Sequence, residues 1–389
     1  MALPGKFNLS LSKFPEAGLI LAIIALGLLL AVFGGSVQRP KFEIRDGVRQ
    51  RAMETDKSGQ SVPAFSSVNK FFNPETLVQI AKDTSFFAIM AVGMTFVIIT
   101  GGIDLSIGAV YALASVCGAI YLSRAGPSAG TAQILIGVLI TIAVATLGGL
   151  INGSMIVGFK VHPFIITLGT MSIYRGIAFV LTNGQSIGDF PSNFREFVRH
   201  ELFNGLSLFP LTVMIIVMVI GGIFLAKMSI GRKVYAVGGN ETASRYSGIR
   251  VGRVKLLVYA ISGLTAGIAA VLSLGYYGAG SSGDGQGYEL NVIAASVVGG
   301  ASLIGGKGSA LGALLGAIIL QMISNGLVIL DIPQNYSQIV IGLVLIAAVL
   351  FDQLNAWLAN RRLLAKAGRI KKEAIESGDA STSITPKSK

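Results

Sequence analysis

The chain has 389 residues, 52% of them hydrophobic and 13% charged, with a mean hydropathy of +0.70. Soluble domains carry roughly 25% charged residues, so this composition excludes an ordinary globular protein and fits an integral membrane chain. The net charge of +12 lies mostly in loops and near the C-terminus. Basic residues that hold loops on the cytoplasmic side are distributed in this way, so the charge does not point to nucleic acid.

About ten apolar runs approach the ~20 residues needed to cross ~30 Å of hydrocarbon. They fall at 17–37, 76–100, 104–123, 132–158, 163–182, 209–228, 253–276, 288–304, 309–330 and 335–352. The expected fold is therefore an all-α integral membrane domain over 17–352, between an N-terminal segment 1–16 and a basic tail 353–389. The run 17–33 has the length of a signal sequence, but no small-residue cleavage site and soluble domain follow, so it is read as a span. A polar insertion, 38–75, separates the first two spans. Between 39 and 70 it holds 7 basic and 4 acidic residues and reads as an external, mobile segment. Lys82 and Asp83 near the start of the second run indicate an interfacial first turn. Fifty glycines, mostly inside apolar runs, fit close helix packing in lipid. Gly263 with Gly267, and Gly312 with Gly316, are small-xxx-small pairs of that kind.

Orientation follows from the basic residues. With the N-terminus inside, cytoplasmic segments hold 19 Lys and Arg and external ones 10, which puts both termini in the cytoplasm. The chain also holds either a faint internal repeat or a coincidence of Asn-Gly and Pro at helix ends. Asn152-Gly153 precedes His162-Pro163 as Asn325-Gly326 precedes Ile332-Pro333. The shift of five spans is odd, so the two halves would be inverted, a recurring transporter plan. Asn152 and Asn325 then either line a path or form interhelical hydrogen bonds.

The most polar span between two long apolar runs is Ser229–Lys255, with the loop proper at 229–253. It carries six basic residues, Arg232, Lys233, Arg245, Arg250, Arg253 and Lys255, against one acid, Glu241. Gly238 and Gly239 break the chain, Asn240 can cap the next free amides, Glu241 sits in the first turn, and Gly248 can end the short helix. A capped helix on a basic loop suits contact with a soluble partner.

Asp104, in an apolar run interrupted by Gly101-Gly102, is either part of a path or gate or the N-cap of a tight cytoplasmic turn. Arg175 either meets a solute hydroxyl or snorkels to the outer interface. Two phosphate-loop patterns fail on context. Gly278-Ala279-Gly280-Ser281-Ser282-Gly283 has no strand before it. Gly305-Gly306-Lys307-Gly308-Ser309 lacks the first glycine and the magnesium-binding hydroxyl of a phosphate loop. The chain therefore offers no nucleotide site and no expected cofactor. His162 and His200 are isolated, so no metal site is expected, and the single Cys117 allows no intrachain disulfide.

Four stretches in order carry a family resemblance: GMTFVIITGGIDLSIG (93–108), HPFIITLGTMSIYRGIA (162–178), GRKVYAVGGNETASRYSGI (231–249) and YELNVIAASVVGG (288–300). From about 73 to 352 the chain resembles the ribose/xylose/galactose-type permeases of bacterial ATP-binding-cassette importers. The resemblance implies a non-enzymatic membrane subunit of the bacterial inner membrane. A periplasmic sugar-binding protein would deliver a monosaccharide, and a cytoplasmic ATPase subunit with two nucleotide-binding halves would power the cycle. Two ATPase halves imply a second permease copy, identical or paralogous. The family's coupling loop corresponds to Arg232–Gly248, which contains Gly238, Gly239, Asn240, Glu241 and Arg245. The insertion at 39–70 is longer than the family pattern. An ion-coupled secondary transporter is the competing class, and the scarcity of acids within the spans weighs against it.

Overall fold

The helix around which the others are arranged is α2 (Pro74–Ile99). From Phe86 onward it is apolar on every face, and such a helix is stable in a bundle only when surrounded. Accordingly, 94% of its most apolar stretch is buried. Its hydroxyls are satisfied within the helix, Thr84 Oγ1 donating to the Ile80 carbonyl and Thr95 Oγ1 to that of Ala91. Asn73 caps it by accepting from the Thr76 amide, with Pro74 at the first helical position. Lys82 is only 9% exposed, and its ammonium bonds to Gln79 and to the Tyr276 hydroxyl (2.6 Å).

The computed structural model describes residues 16–45, 48–56, 59–203 and 206–351, with 353, 354, 357 and 361. The N-terminal segment and basic tail foreseen at 1–16 and 353–389 lie almost wholly outside the described residues. Around α2 stand α1 (Ala17–Phe33), α3 (Ile107–Ala125), α4 (Thr131–Phe159), α5 (Pro163–Thr182), the short α6 (Ser192–Val198) and α7 (Phe209–Lys227). They are followed by α8 (Ser229–Gly239), α9 (Glu241–Tyr246), α10 (Val251–Tyr277), α11 (Tyr288–Val298), α12 (Ala310–Ile329) and α13 (Gln334–Phe351).

The most extensive helix contact is α10 against α4, and glycine makes it possible. A Cβ on Gly149 would lie 2.1 Å from the Tyr259 carbonyl oxygen, and one on Gly263 2.3 Å from that of Ala145. Gly267 packs on α4 in the same way, and Gly312 and Gly316 lie against the Gly299 and Ala295 carbonyls of the α11 segment. Both small-residue pairs are thus intramolecular packing faces.

Eight helices are long and apolar enough to cross a membrane among the described residues. The other two expected spans, 17–37 and 288–304, are helical over 17 and 11 residues. The second is cut short at Gly299-Gly300, where Gly300 takes φ +92° and the chain continues without regular structure to Gly308, partly exposed at Gly300, Ile304 and Lys307.

The all-α expectation is corrected at two places, and the fold is mostly helical. The insertion forms six short antiparallel strands, β1 (Ser36–Pro40), β2 (Phe42–Arg45), β3 (Val48–Arg51), β4 (Met53–Thr55), β5 (Ser61–Pro63) and β6 (Phe65–Asn69). They pair as β1–β6, β2–β3 and β4–β5. The three ladders meet at a ring of main-chain bonds, Lys41 to Ala64, Ala64 to Ala52 and Ala52 to Lys41, each 2.8 Å. Buried Ala52 and Ala64 fill the junction. The described part of the segment is therefore a three-leaved clover of hairpins. It is tied down by Asn69 Nδ2 on the Ala31 carbonyl (2.7 Å), by the Arg39–Glu75 ion pair and by Lys70 on Asp331 (2.7 Å). A second small hairpin, β7 (Glu201–Phe203) with β8 (Leu206–Ser207), precedes α7.

Candidate functional site

Three features stand out: a platform at one end of the bundle, a polar cluster deep within it, and a cavity toward the other end.

The platform is α8 with α9. Apolar or small residues at i, i+3 and i+6, namely Gly231, Val234 and Val237, give α8 one buried face. Tyr235 donates its hydroxyl to the Gly308 carbonyl (2.7 Å). Helix α8 ends at Gly239, and the chain is extended at Asn240 before α9 begins, next to the glycine pair read as a break. Gly238 is also a point of contact, because a Cβ there would lie 1.6 Å from the Ile99 carbonyl oxygen. That same oxygen accepts from the Gly306 amide (2.8 Å). Gly305 and Gly306 hold φ +97° and +76°, the region that favours glycine. The run Gly305–Ser309 is therefore the backbone seat of α8.

Asn240 caps α9 as its sequence suggests, accepting from the Ala243 amide (2.9 Å). Gly248, at φ +82°, closes the turn after it. Glu241 takes Lys255 of α10 at 2.7 Å and Arg245 at 3.1 Å. The Lys255 bond holds its carboxyl below the ordinary 4.5; partial burial opposes this and Arg245 reinforces it. Arg232 turns back to the Lys227 carbonyl (3.2 Å). The rest of α9 projects outward, with only Ser244 buried and Tyr246 at 88% exposure. Tyr246 did not draw attention as one aromatic in a polar loop; it stands out once the exposed face of α9 is known. The Glu241–Lys255 pair joins α9 to α10, which is packed on α4 and α2.

The buried cluster centres on Asp104, 1% exposed. Its Oδ1 accepts from the Ser106 amide (3.0 Å) and hydroxyl (2.7 Å), and its Oδ2 from the Ser262 hydroxyl (2.9 Å). Asn152 Nδ2 donates to Ser106 Oγ (2.7 Å), and the Tyr174 hydroxyl meets Asn152 Oδ1 (3.4 Å). Ser106, not Asp104, occupies the N-cap position of α3. Asp104 still turns the chain by accepting the Ser106 amide, yet the turn is not a surface one. Ser262 is eleven residues along α10, roughly 16 Å from its start at 1.5 Å per residue. The acid thus lies deep in the bundle, and the argument that acids are scarce within the spans loses force here.

Arg175 sits apart from this cluster. Its guanidinium donates to the carbonyls of Ser282 (2.8 Å) and Asp284 (2.5 Å), pinning the loop between α10 and α11 to α5. Asn325 lies elsewhere again, its Nδ2 buried without a hydrogen-bond partner among the described residues. Of the four path candidates, the structure brings only Asp104 and Asn152 together.

The cavity, of about 870 Å³, lies between the first half of α2, the end of α10, the start of α11, α12 and α13. It is on the side of the bundle away from α8–α9, since α10 leaves α9 at Val251 and reaches the cavity at Tyr277. Most of its lining is scattered glutamine, serine and aromatic residues, whose convergence has no local sequence pattern.

Residues 76–349 match the family described as the permease component of a branched-chain amino acid transport system. The chain belongs to this permease family. Several relatives carry names from sugar transport, and others from autoinducer 2 import. The ribose import permease of Haemophilus influenzae is 39% identical over 72% of this chain and 86% of its own length. That of Escherichia coli K12 is 39% identical over 75% and 87%. The D-allose transport permease of Escherichia coli K12 is 37% identical over 75% and 88%. The family description and the relatives' names differ in substrate. The relatives are the finer guide, because each aligns over most of both chains. No solved structure matches. The β-clover lies before the matched residues.

Proposed function

We propose that the chain is the membrane-spanning subunit of an ATP-binding-cassette importer for a monosaccharide. The observation that carries this reading is the 39% identity to ribose import permeases over nearly their whole length. In this reading α8–α9 is the cytoplasmic coupling element, seated on an ATPase subunit with two nucleotide-binding halves. A periplasmic binding protein delivers the sugar at the opposite end, and a second permease copy completes the complex in the bacterial inner membrane. The full complement of about ten crossings, counting α1 and α11, the inverted repeat and cytoplasmic termini belong to the same proposal. The excess of basic residues on the α8–α9 side supports that orientation. The projecting, capped α9 and its ion pair to α10 support the coupling role.

One observation favours the competing ion-coupled reading, namely the buried carboxylate of Asp104. Its oxygens are satisfied by the turn that begins α3 and by Ser262, which gives the acid a structural role without a transported ion. Uptake by proteoliposomes decides between the two. The importer reading expects labelled ribose to accumulate only with ATP, the ATPase and the binding protein present. Accumulation by this chain alone, driven by a proton or sodium gradient, refutes it.

A further inference from the structure

An apolar groove of about 410 Å³ runs between α1, the first half of α2 and α12, and it shares no lining residue with the polar cavity. Leu77, Ile80, Ala81 and Thr84 recur at i, i+3, i+4 and i+7 and give α2 a second face, separate from Gln79 and Asp83 of the cavity. Helix α1 lines the opposite wall with Ile24, Gly27 and Leu28. It is packed on α12 instead of closing on α2, with Leu30 so near Gly326 that a Cβ there would lie 2.9 Å from the leucine Cδ2. Buried Phe71, Ile80 and Met322 form the floor. Among the described residues Thr84 is the one polar side chain in the lining, and its hydroxyl donates to the Ile80 carbonyl (2.7 Å).

Depth, width and charge together limit what can cover this groove. It follows the later half of α1 and the earlier half of α2 and reaches Met322, past the middle of α12. One end is at Phe71 and Phe72, directly after the clover, and the other is at Thr84, ten residues into α2. That distance is roughly 15 Å at 1.5 Å per residue, or half of the ~30 Å hydrocarbon core. A helix about 10 Å across laid along it would occupy on the order of 1,200 Å³, about three times the groove. A helix from a partner is therefore too wide, whereas a single hydrocarbon chain is slender enough. Water has no place at this depth, and the walls offer it no partner. At the mouth Lys70 is matched by Asp331 and Arg39 by Glu75, so nothing there selects the charge of a headgroup.

We propose that this groove is a lipid site, which takes one acyl chain of a phospholipid from the leaflet on the clover side, and that the bound chain completes the joint between α1 and α2. A chain in the bilayer is already surrounded by hydrocarbon, so its gain here is close packing against the floor and not removal from water. The site joins α1, which precedes the matched residues 76–349, to the part of the chain that the family shares. Its chemistry is independent of the importer reading; only the name of that leaflet, the outer one, rests on the orientation proposed above.

Native mass spectrometry and thermal unfolding of the purified full-length chain test this. The probes are dioleoyl phosphatidylcholine, which is zwitterionic, dioleoyl phosphatidylglycerol, which is anionic, and glycerophosphocholine, a headgroup without chains. Each chain should retain a single molecule of either lipid and none of glycerophosphocholine. At a hundredfold excess over its dissociation constant, either lipid should raise the melting temperature by about 3 °C. Gly27→Leu fills the groove without a clash, since a Cβ there meets Phe71 Cε1 at 3.5 Å and Met322 Cε at 3.6 Å. It should keep the fold and lose both the retained lipid and the shift. Gly18→Leu, on the same helix with open space around it, should keep both. Phe72→Ala, at a rim position 72% exposed, should weaken retention about threefold, the loss of roughly five carbon–carbon contacts. It carries the test by itself if Gly27→Leu does not fold. No retained lipid, retention of the anionic lipid alone, or retention as strong in Gly27→Leu and Phe72→Ala as in the unaltered chain, which would mean annular lipid only, overturns the proposal.

Discussion

Asp104 offers the sharpest test of how this bundle is held together. Asp104→Ala removes the acceptor of three hydrogen bonds, from the Ser106 amide, the Ser106 hydroxyl and the Ser262 hydroxyl. The Ser262 hydroxyl can rotate to a carbonyl one turn back in α10. The Ser106 amide cannot rotate, and the Ser106 hydroxyl also anchors Asn152. The two orphaned Ser106 groups, at ~1–3 kcal/mol each, give a loss of about 2–6 kcal/mol. Asp104→Asn behaves differently. Its carbonyl oxygen still serves Ser106, and its amide can donate to Ser262, which accepts as readily as it donates. Removing a charge from a site with no cationic partner also relieves desolvation. The expected cost is under about 1 kcal/mol. Thermal unfolding of the detergent-solubilised chain separates the two, at roughly 1.2 °C per kcal/mol for a chain of this size. Asp104→Ala should fall by about 2–7 °C and Asp104→Asn by no more than about 1 °C. Equal, large losses in both would refute the reasoning, because the negative charge itself would then be what the structure needs.

Further outcomes follow from other contacts. Glu241→Ala or Gly248→Val should uncouple ATP hydrolysis from uptake in the reconstituted complex while the protein still inserts; normal transport by both would remove α8–α9 from the coupling role. Because the Glu241 carboxyl titrates below its ordinary value, its contribution is fully present above pH ~4.5 and is lost as pH falls through the lower folded value. Coupling should thus be indifferent to Glu241 protonation from pH 5 to 8, and a Glu241-dependent change within that window would contradict the ion-pair account. Tyr246→Ala should leave the melting temperature within about 1 °C, its ring being exposed, while weakening pull-down of the ATPase subunit. Gly149→Val should abolish folded protein in size-exclusion profiles, since its Cβ alone would fall 2.1 Å from the Tyr259 carbonyl oxygen.

Much of this architecture is legible in the chain because hydrocarbon thickness imposes a length on apolar runs, and α4, α5, α7 and α10 obey it closely. The Asn240 cap and the Gly248 stop were readable because capping is local. The shortness of α11 was not, since the irregular stretch after Gly299 is as glycine-rich as a helix that packs tightly. Nor was the β-clover, whose register depends on pairing Ser36 with Asn69 across the whole insertion. Asn152 and Asp104 were singled out separately, and only three-dimensional packing joins them through Ser106. The cavity was invisible for the same reason, its glutamines being spread from Gln79 to Gln338.

The clover also has a practical consequence. Its two ends meet, with the Lys70 amide bonded to the Gly35 carbonyl at 3.0 Å. The intervening chain therefore leaves the membrane domain and returns at nearly the same point, as a detachable cassette does. A two-residue Asn-Gly turn could replace Gln38–Ser67 and join the paired Val37 and Val68, keeping Asn69 on the Ala31 carbonyl and Lys70 on Asp331 and giving up only the Arg39–Glu75 pair. The same doorway could carry an epitope or a fluorescent domain, giving a labelling position that leaves the helical bundle untouched.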